Sequence, residues 1–352
     1  MSGRRILYAV LNWGAGHATR SVPVIESLLR RGHEVVLASD GMAGEILRKR
    51  FPALPYEELP SYKVRYPRKG RYLLPALAGQ SFQALRVFGA TRELISRWVK
   101  KYAPDQIISD GRPAVRHKNV HSVYVTHQLK VLAGPLTRAA TALHKALYEQ
   151  FHEIWVPDYE SFPYYSGMLG HPERRPRNLR YMGILSRFLS KKNFADEESV
   201  PSADWLIILS GPETQRTVLE QTVKNHASLF SGKVVLVRGT LHPPAAVFPS
   251  DWTVYDWADE TLLYNLILKA KKLILRSGYS SVMDLVAMQK QAILIPTPGQ
   301  PEQEYLARFL HGKGLFPAVS QSALHHIPFI DWNRFRLPRR QSSERFDKML
   351  FP

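Results

Sequence analysis

Three loops in this chain combine glycine, hydroxyl and titratable side chains where an apolar strand gives way to a helical pattern. The first is Asn12-Trp13-Gly14-Ala15-Gly16-His17. Gly14 and Gly16 let backbone N–H groups approach a ligand at a helix start, and a side chain at position 17 is aimed past the strand end. Imidazole titrates near neutral pH, so His17 is a candidate base; the plain alternative is a tight turn in which it only caps the helix. The second is Arg276-Ser277-Gly278-Tyr279-Ser280-Ser281-Val282-Met283-Asp284, followed by Pro296-Thr297-Pro298-Gly299-Gln300-Pro301-Glu302-Gln303. Hydroxyl and N–H donors at a positive helix end suit a diphosphate. Asp284, one turn further on, is placed either to accept from ribose hydroxyls or to form a capping pair with Ser281. The third, Ser210-Gly211-Pro212-Glu213, offers more donors, although Pro212 withholds one N–H. An ordinary loop fits it nearly as well.

The elements that must position these loops are legible from periodicity. Short β-branched runs alternate with amphipathic stretches, the pattern of βα units around a parallel sheet. Strands are expected near Ile6–Leu11, Glu34–Ala38, Gln106–Ser109, Ser122–Val125 and Glu153–Val156, then near Trp205–Leu209, Lys233–Val237, Leu273–Leu275 and Ala292–Ile295. A helix over Ala18–Arg31 has Pro23 in its expected opening turn and Gly32 past its end. A second, over Leu74–Lys101, places Leu77, Leu85, Phe88, Ile95 and Trp98 on one face. Asp110 follows a strand and falls at the same carboxyl edge as His17. The mixed-charge stretch 186–204 is read as a linker. It separates a Rossmann-like domain at 1–185 from another at 205–330, with 331–352 a tail expected to return to the first domain. The fold class is therefore α/β, with two Rossmann-like domains facing a central cleft.

Composition narrows the function classes. The 352 residues hold 48 Lys plus Arg against 30 Asp plus Glu, a formal charge of +18, with 45% hydrophobic residues and no cysteine. Disorder and disulfide scaffolds are excluded, as are thiol catalysis and cysteine-based zinc sites. No apolar run approaches the roughly 18 residues of a spanning helix, and cytoplasm is the expected compartment. The basic balance points to an anionic partner. Residues 61–101 carry ten Lys or Arg, one acid, Glu93, and interspersed aromatics. That mixture suits a peripheral position on an anionic membrane surface; a solvated helix face over ordinary core is the alternative. No helix-turn-helix, zinc finger or RNP-like motif accompanies it, which disfavours nucleic acid.

The order of these motifs resembles the GT-B glycosyltransferases, and most of all family 28, whose members act on lipid-linked and diacylglycerol acceptors. The resemblance implies a nucleotide-diphosphate sugar held by the second domain, with UDP the expected carrier. Ser280 and Ser281 match diphosphate contacts, Asp284 a ribose-binding glutamate one methylene longer, and Gln303 a glutamine that reads sugar hydroxyls. Glu302 stands where many relatives have histidine, so the sugar does not transfer. Trp257, in Tyr255-Asp256-Trp257-Ala258-Asp259, falls in the loop that brackets the nucleobase. Ser210, Gly211, Arg276, Gly278 and Tyr279 complete the implied donor set. On the acceptor side, Gly14, Gly16 and His17 match the family opening, and Thr126-His127-Gln128 resembles its His-Glu-Gln motif without the glutamate.

The implied reaction is an inverting hexosyl transfer to a hydroxyl of a lipid-linked or glycolipid acceptor. His17 is the expected base, with Asp110 either orienting it or acting as the base itself. No Asp-X-Asp lies in a suitable loop, so neither metal nor cofactor is expected beyond the nucleotide sugar as co-substrate. Two alternatives stay open: a sugar-nucleotide 2-epimerase or hydrolase on the same frame, and a non-catalytic nucleotide-sugar or nucleic-acid binder.

Overall fold

Strand β1 (Arg5–Val10) shows why the first sheet sits in the middle of its domain: Ile6, Tyr8 and Val10 bury on one face, Leu7 and Ala9 on the other. A strand buried on both faces reads as continuous hydrophobics, as parallel strands do. In the computed structural model, which describes residues 3–62, 81–189, 199–211, 213–240 and 244–338, this strand is third of seven in a wholly parallel sheet. Its neighbours are β2 (Glu34–Ser39), β3 (Tyr56–Glu58), β4 (Gln106–Asp110), β5 (His121–Val125), β6 (Glu153–Val156) and β7 (Leu179–Tyr181), in the order β3-β2-β1-β4-β5-β6-β7. Helices α1 (Gly16–Arg30) and α2 (Gly41–Arg50) cover one face through Ala18, Val24, Ile25, Leu28, Ala43 and Leu47. Helix α3 (Ser81–Tyr102) covers the other through Ile95 and Trp98. Each fully buried aliphatic side chain contributes about 1.5–3 kcal/mol.

The chain divides into two units, one holding the described residues up to Leu189 and the other those from Val200's neighbourhood to 338. The second has its own parallel sheet, ordered β10-β9-β8-β11-β12. Its strands are β8 (Ala203–Ile208), β9 (Val234–Val237), β10 (Trp252–Tyr255), β11 (Ala270–Arg276) and β12 (Ile293–Ile295). Helix α4 (Thr137–Tyr148) belongs to the first unit; α5 (Glu213–Asn225), α6 (Glu260–Lys269), α7 (Tyr279–Met288) and α8 (Pro301–Gly312) belong to the second. Leu219 and Val223 of α5 pack on Ile207, Leu236 and Ile293.

Several sequence expectations need correction. Helix α1 begins at Gly16 and runs through Pro23, which lies in its interior and not its first turn. Gly32, at φ +77°, ends it as expected, with the His33 N–H donating to the Leu28 carbonyl. On α3 the buried stripe is Val87, Thr91, Ile95 and Trp98, while Leu85 is 70% exposed. Leu77 and the rest of 63–80 lie outside the described residues. Both ends of the expected linker are structured: Phe188 is buried in the first unit, and Ala203 opens β8. The start of the tail stays with the second unit, where Trp332 packs on the core and Phe335 lies against His311. Residues 339–352 lie outside the described residues.

Candidate functional site

In the first unit, β1 and β4 run side by side with Val10 opposite Asp110, which brings Asp110 to the edge where α1 begins. His17 is in the first turn of α1, and its Nδ1 is 2.7 Å from Asp110 Oδ1. Two acceptors would repel at that distance, so with an ionised carboxylate the imidazole proton is on Nδ1 and the lone pair on Nε2. The ring rests on bare backbone: a Cβ at Gly111, whose φ is +73°, would fall 2.9 Å from His17 Cε1. The His17 side chain is 17% exposed and Asp110 is fully buried.

Arg20, one turn beyond His17 and 2% exposed, completes this cluster and went unnoticed in the sequence. Its Nε donates to Asp110 Oδ2 at 2.8 Å and a terminal nitrogen to Oδ1, a bidentate fork. Another nitrogen is 2.9 Å from His127 Nδ1. Ser21 Oγ is 3.2 Å from Asp110 Oδ2. Burial alone would push the Asp110 carboxyl up, but the Arg20 charge, His17 and their hydrogen bonds hold it well below the carboxylate range. Burial and then the Arg20 guanidinium lower His17 below 6.5, against the opposing pull of Asp110. A neutral imidazole beside an ionised carboxylate can accept a proton. His127 is 8% exposed, Gln128 is half-buried beside it, and Gly14, at φ +74°, is exposed. Gly16 is the first helical residue, after an N-cap, Ala15, that makes no side-chain bond.

A second buried ion pair adjoins this cluster. Arg112 donates to Asp40 Oδ1 at 2.6 Å and to the Pro60 carbonyl, and lies 5.0 Å from the Tyr62 ring centre. Asn12 Nδ2 donates to Asp40 Oδ2 at 3.2 Å. The ends of β1, β2 and β4 are thereby tied together.

In the second unit the first turn of α5 and the loops after β11 and β12 meet around Arg276. Its guanidinium donates to the carbonyls of Pro296 (3.0 Å) and Gln215 (3.0 Å) and is 1% exposed. Burial lowers it to about 10, still charged at neutral pH. Arg276 therefore frames the loops and presents no guanidinium surface to a phosphate, contrary to its expected contact role. Ser277 Oγ donates to the Gln303 carbonyl at 2.9 Å, and Gln303 Oε1 accepts from the Thr297 N–H at 2.9 Å. With its oxygen fixed, the amide nitrogen is directed to Gly278: a Cβ there would lie 3.9 Å from both Gln303 Nε2 and Ser281 Oγ. Gly278 is the N-cap of α7 and makes no side-chain cap, so the capping-pair alternative for Ser281 and Asp284 does not describe this helix start. Ser280, Ser281, Asp284 and Glu302 are half-buried, and Tyr279 is buried.

Ser210 is half-buried and Gly211, at φ +104°, is exposed. Trp257, 37% exposed, sits in a loop held by Arg238, which donates to Asp256 at 2.8 Å and to Glu220. That tie was also missed, since nothing local pairs residues so far apart. A cavity of about 870 Å³, lined by Pro298, Glu304, Arg308, His311 and Gln321 among others, runs beside α8 and contains none of the expected donor residues.

Two families match this chain: the glycosyl transferase family 1 over residues 4–132, and the glycosyltransferase family 28 C-terminal domain over residues 215–327. The chain is a GT-B glycosyltransferase whose second half is family-28-like. Two curated relatives described as uncharacterized glycosyltransferases, from Methanosarcina acetivorans and Methanosarcina mazei, are each 22% identical over 90% of this chain and 86% of their own length. Among solved structures, the glycotransferase of kitacinnamycin has a TM-score of 0.64 at 13% identity, over 99% of this chain and 93% of its own. The spinosyn rhamnosyltransferase complexed with thymidine diphosphate has a TM-score of 0.59 at 15% identity, over 89% and 86%. At such identities the structures establish the fold.

Proposed function

We propose that this enzyme moves a hexosyl group from a pyrimidine nucleoside diphosphate sugar to a hydroxyl of a lipid-linked or glycolipid acceptor, with inversion and without a metal ion or cofactor. The observation that carries the reading is the 2.7 Å contact between His17 Nδ1 and Asp110 Oδ1, which leaves Nε2 as a proton acceptor. In the single displacement, Nε2 takes the acceptor hydroxyl proton as its oxygen bonds to the anomeric carbon. The bond from that carbon to the diphosphate breaks, and the leaving oxygen keeps the electron pair. Nδ1–H stays on Asp110, which stabilises the imidazolium. Departing charge meets the N–H groups and hydroxyls at the start of α7, with Gln303 Nε2 alongside. Ser280, Ser281 and Asp284 bind diphosphate and ribose in this reading, Ser210 and Gly211 add phosphate donors, and Trp257 brackets the nucleobase.

An apolar acceptor is supported by Trp13, 46% exposed in the turn after β1, and Met42, 45% exposed in the first turn of α2. No helix among the described residues is long and apolar enough to cross a membrane. The basic balance of segment 61–101 supports delivery of the acceptor at an anionic, cytoplasmic membrane surface. The described part of that segment has Arg86, Arg92, Arg97 and Lys100 exposed along α3. Thymidine diphosphate in a solved neighbour makes TDP-sugars donors to test beside UDP-sugars.

The test is a panel of UDP-, TDP- and GDP-hexoses, scored first by thermal shift and then by transfer into a membrane extract. Binding of one pyrimidine donor and acceptor-dependent release of its diphosphate are expected. Donor consumption that ignores added acceptor would turn the assignment to an epimerase or hydrolase.

A further inference from the structure

We propose that Arg20 is a positioning residue for this transfer: its buried guanidinium locks Asp110 and keeps His17 uncharged and protonated on Nδ1, while tying both to His127. The proposal rests on the reading of His17 as the base. It begins from the connectivity of one side chain. Arg20 spans both oxygens of Asp110; its terminal nitrogen on Oδ1 lies 2.9 Å from His17 Nδ1, which donates to the same oxygen, and its other terminal nitrogen lies 2.9 Å from His127 Nδ1. Guanidinium has no lone pair to offer, so the His127 contact requires Nδ1 to accept and puts that ring's proton on Nε2. Arg20 thereby sets the tautomer of His127 directly, and that of His17 only through the carboxylate it holds ionised, to which Nδ1–H donates.

Charge counting gives the consequence. Asp110 and Arg20 together are neutral, so a proton on His17 adds a net positive charge to a buried site, 2.9 Å from a guanidinium. In a two-member histidine–carboxylate pair the carboxylate is uncompensated and draws a proton onto the ring; here Arg20 has already answered it. Four further groups face the cluster and add no negative charge to it. They are Ser21 on the same helix, His127 after β5, and the phenols of Tyr8 on β1 and Tyr124 on β5, both pushed up by burial and therefore uncharged. The resting base is thus available at lower pH than an ordinary histidine, and its ring is held at one rotation by Asp110 and the Gly111 backbone.

The experiment follows the histidine Cε1–H resonances of the full chain through a pH titration, with His17 assigned by its loss in His17→Ala. It needs no ligand. Wild type is compared with Arg20→Gln, which can still donate to Asp110 but carries no charge, and with Arg20→Lys, which keeps the charge without the fork. Arg20→Gln is expected to raise the His17 midpoint by about one pH unit, a tenfold gain in proton affinity. Arg20→Lys is expected to stay within a few tenths of wild type, and the acid limb of kcat/KM on the panel's UDP- or TDP-hexose to move with the titration. A purely structural Arg20 would make the two variants alike. Wild-type His17 titrating at or above 6.5 overturns the proposal even if no variant folds, as does an unmoved midpoint in folded Arg20→Gln. If His17→Ala keeps full turnover, the base reading itself fails; if it loses turnover while Arg20→Gln leaves the midpoint unmoved, only the role of Arg20 falls.

Discussion

The two units position reactive groups by opposite means. The first concentrates ionisable side chains, His17, Asp110 and Arg20, in direct contact and nearly out of water. The second spends its buried cation, Arg276, on carbonyl oxygens, and presents an amide nitrogen, a hydroxyl and a helix start. A cluster of the first kind changes protonation state during a reaction; one of the second kind offers fixed donors whose charge never alters. The contrast teaches where to look for each defect. Loss in the first unit should appear in the rate, and loss in the second in donor affinity.

The sharpest break in this comparison is His17→Ala. It is expected to lower kcat by about 10²–10⁴-fold, the range for a general base, with donor Kd from calorimetry unchanged. A matching loss of donor affinity would erase the distinction between the units. Next in size is Asp110→Ala, which leaves Arg20 buried without its anion. Urea unfolding should show a loss of about 3–5 kcal/mol, in addition to the loss of turnover.

A third test uses pH. His17 and His144 are both lowered in the fold, His144 by burial to about 4. Between 6.5 and those lowered values the unfolded chain binds protons that the folded chain does not, so stability falls as pH drops through that window. His144 alone accounts for up to about 3 kcal/mol. Asp110 is lowered too, so its contribution is present above the ordinary carboxylate value and is lost only in stronger acid. Denaturant midpoints that rise from pH 7 to pH 4.5 would contradict these signs. The smallest effect belongs to Gln303→Ala, expected to weaken donor binding about fivefold, ~1 kcal/mol, with kcat within about twofold of wild type. A kcat effect larger than the binding effect would move Gln303 into the reacting machinery.

Legibility in the sequence followed burial. Strands such as β1, β4 and β8 were evident because both of their faces are covered and each has an uninterrupted apolar run, Ile6 to Val10, Ile107 and Ile108, and Trp205 to Ile208. The strands overlooked were β3, β7 and β10, each three or four residues long and each at a sheet edge. An edge strand has one partner and needs no continuous apolar run, so Tyr56-Glu57-Glu58 carries no β signal of its own. Asp110 could be found because a strand end fixes its position. Arg20 could not: a cation on an amphipathic helix reads as solvent-facing, and its partner is 90 residues away. The available hint was its place one turn after His17, close to the stripe of Ser21, Val24, Ile25 and Leu28 that faces the sheet.

Arg276 grips Pro296 and Gln215 only by their main-chain oxygens. Every amino acid carries that oxygen, so the clamp is blind to which residues occupy the loop and the helix start it holds. Substitutions that retune selectivity for one sugar over another can accumulate around it while the scaffold keeps its shape, and directed evolution of donor choice should leave position 276 alone and randomise its neighbours.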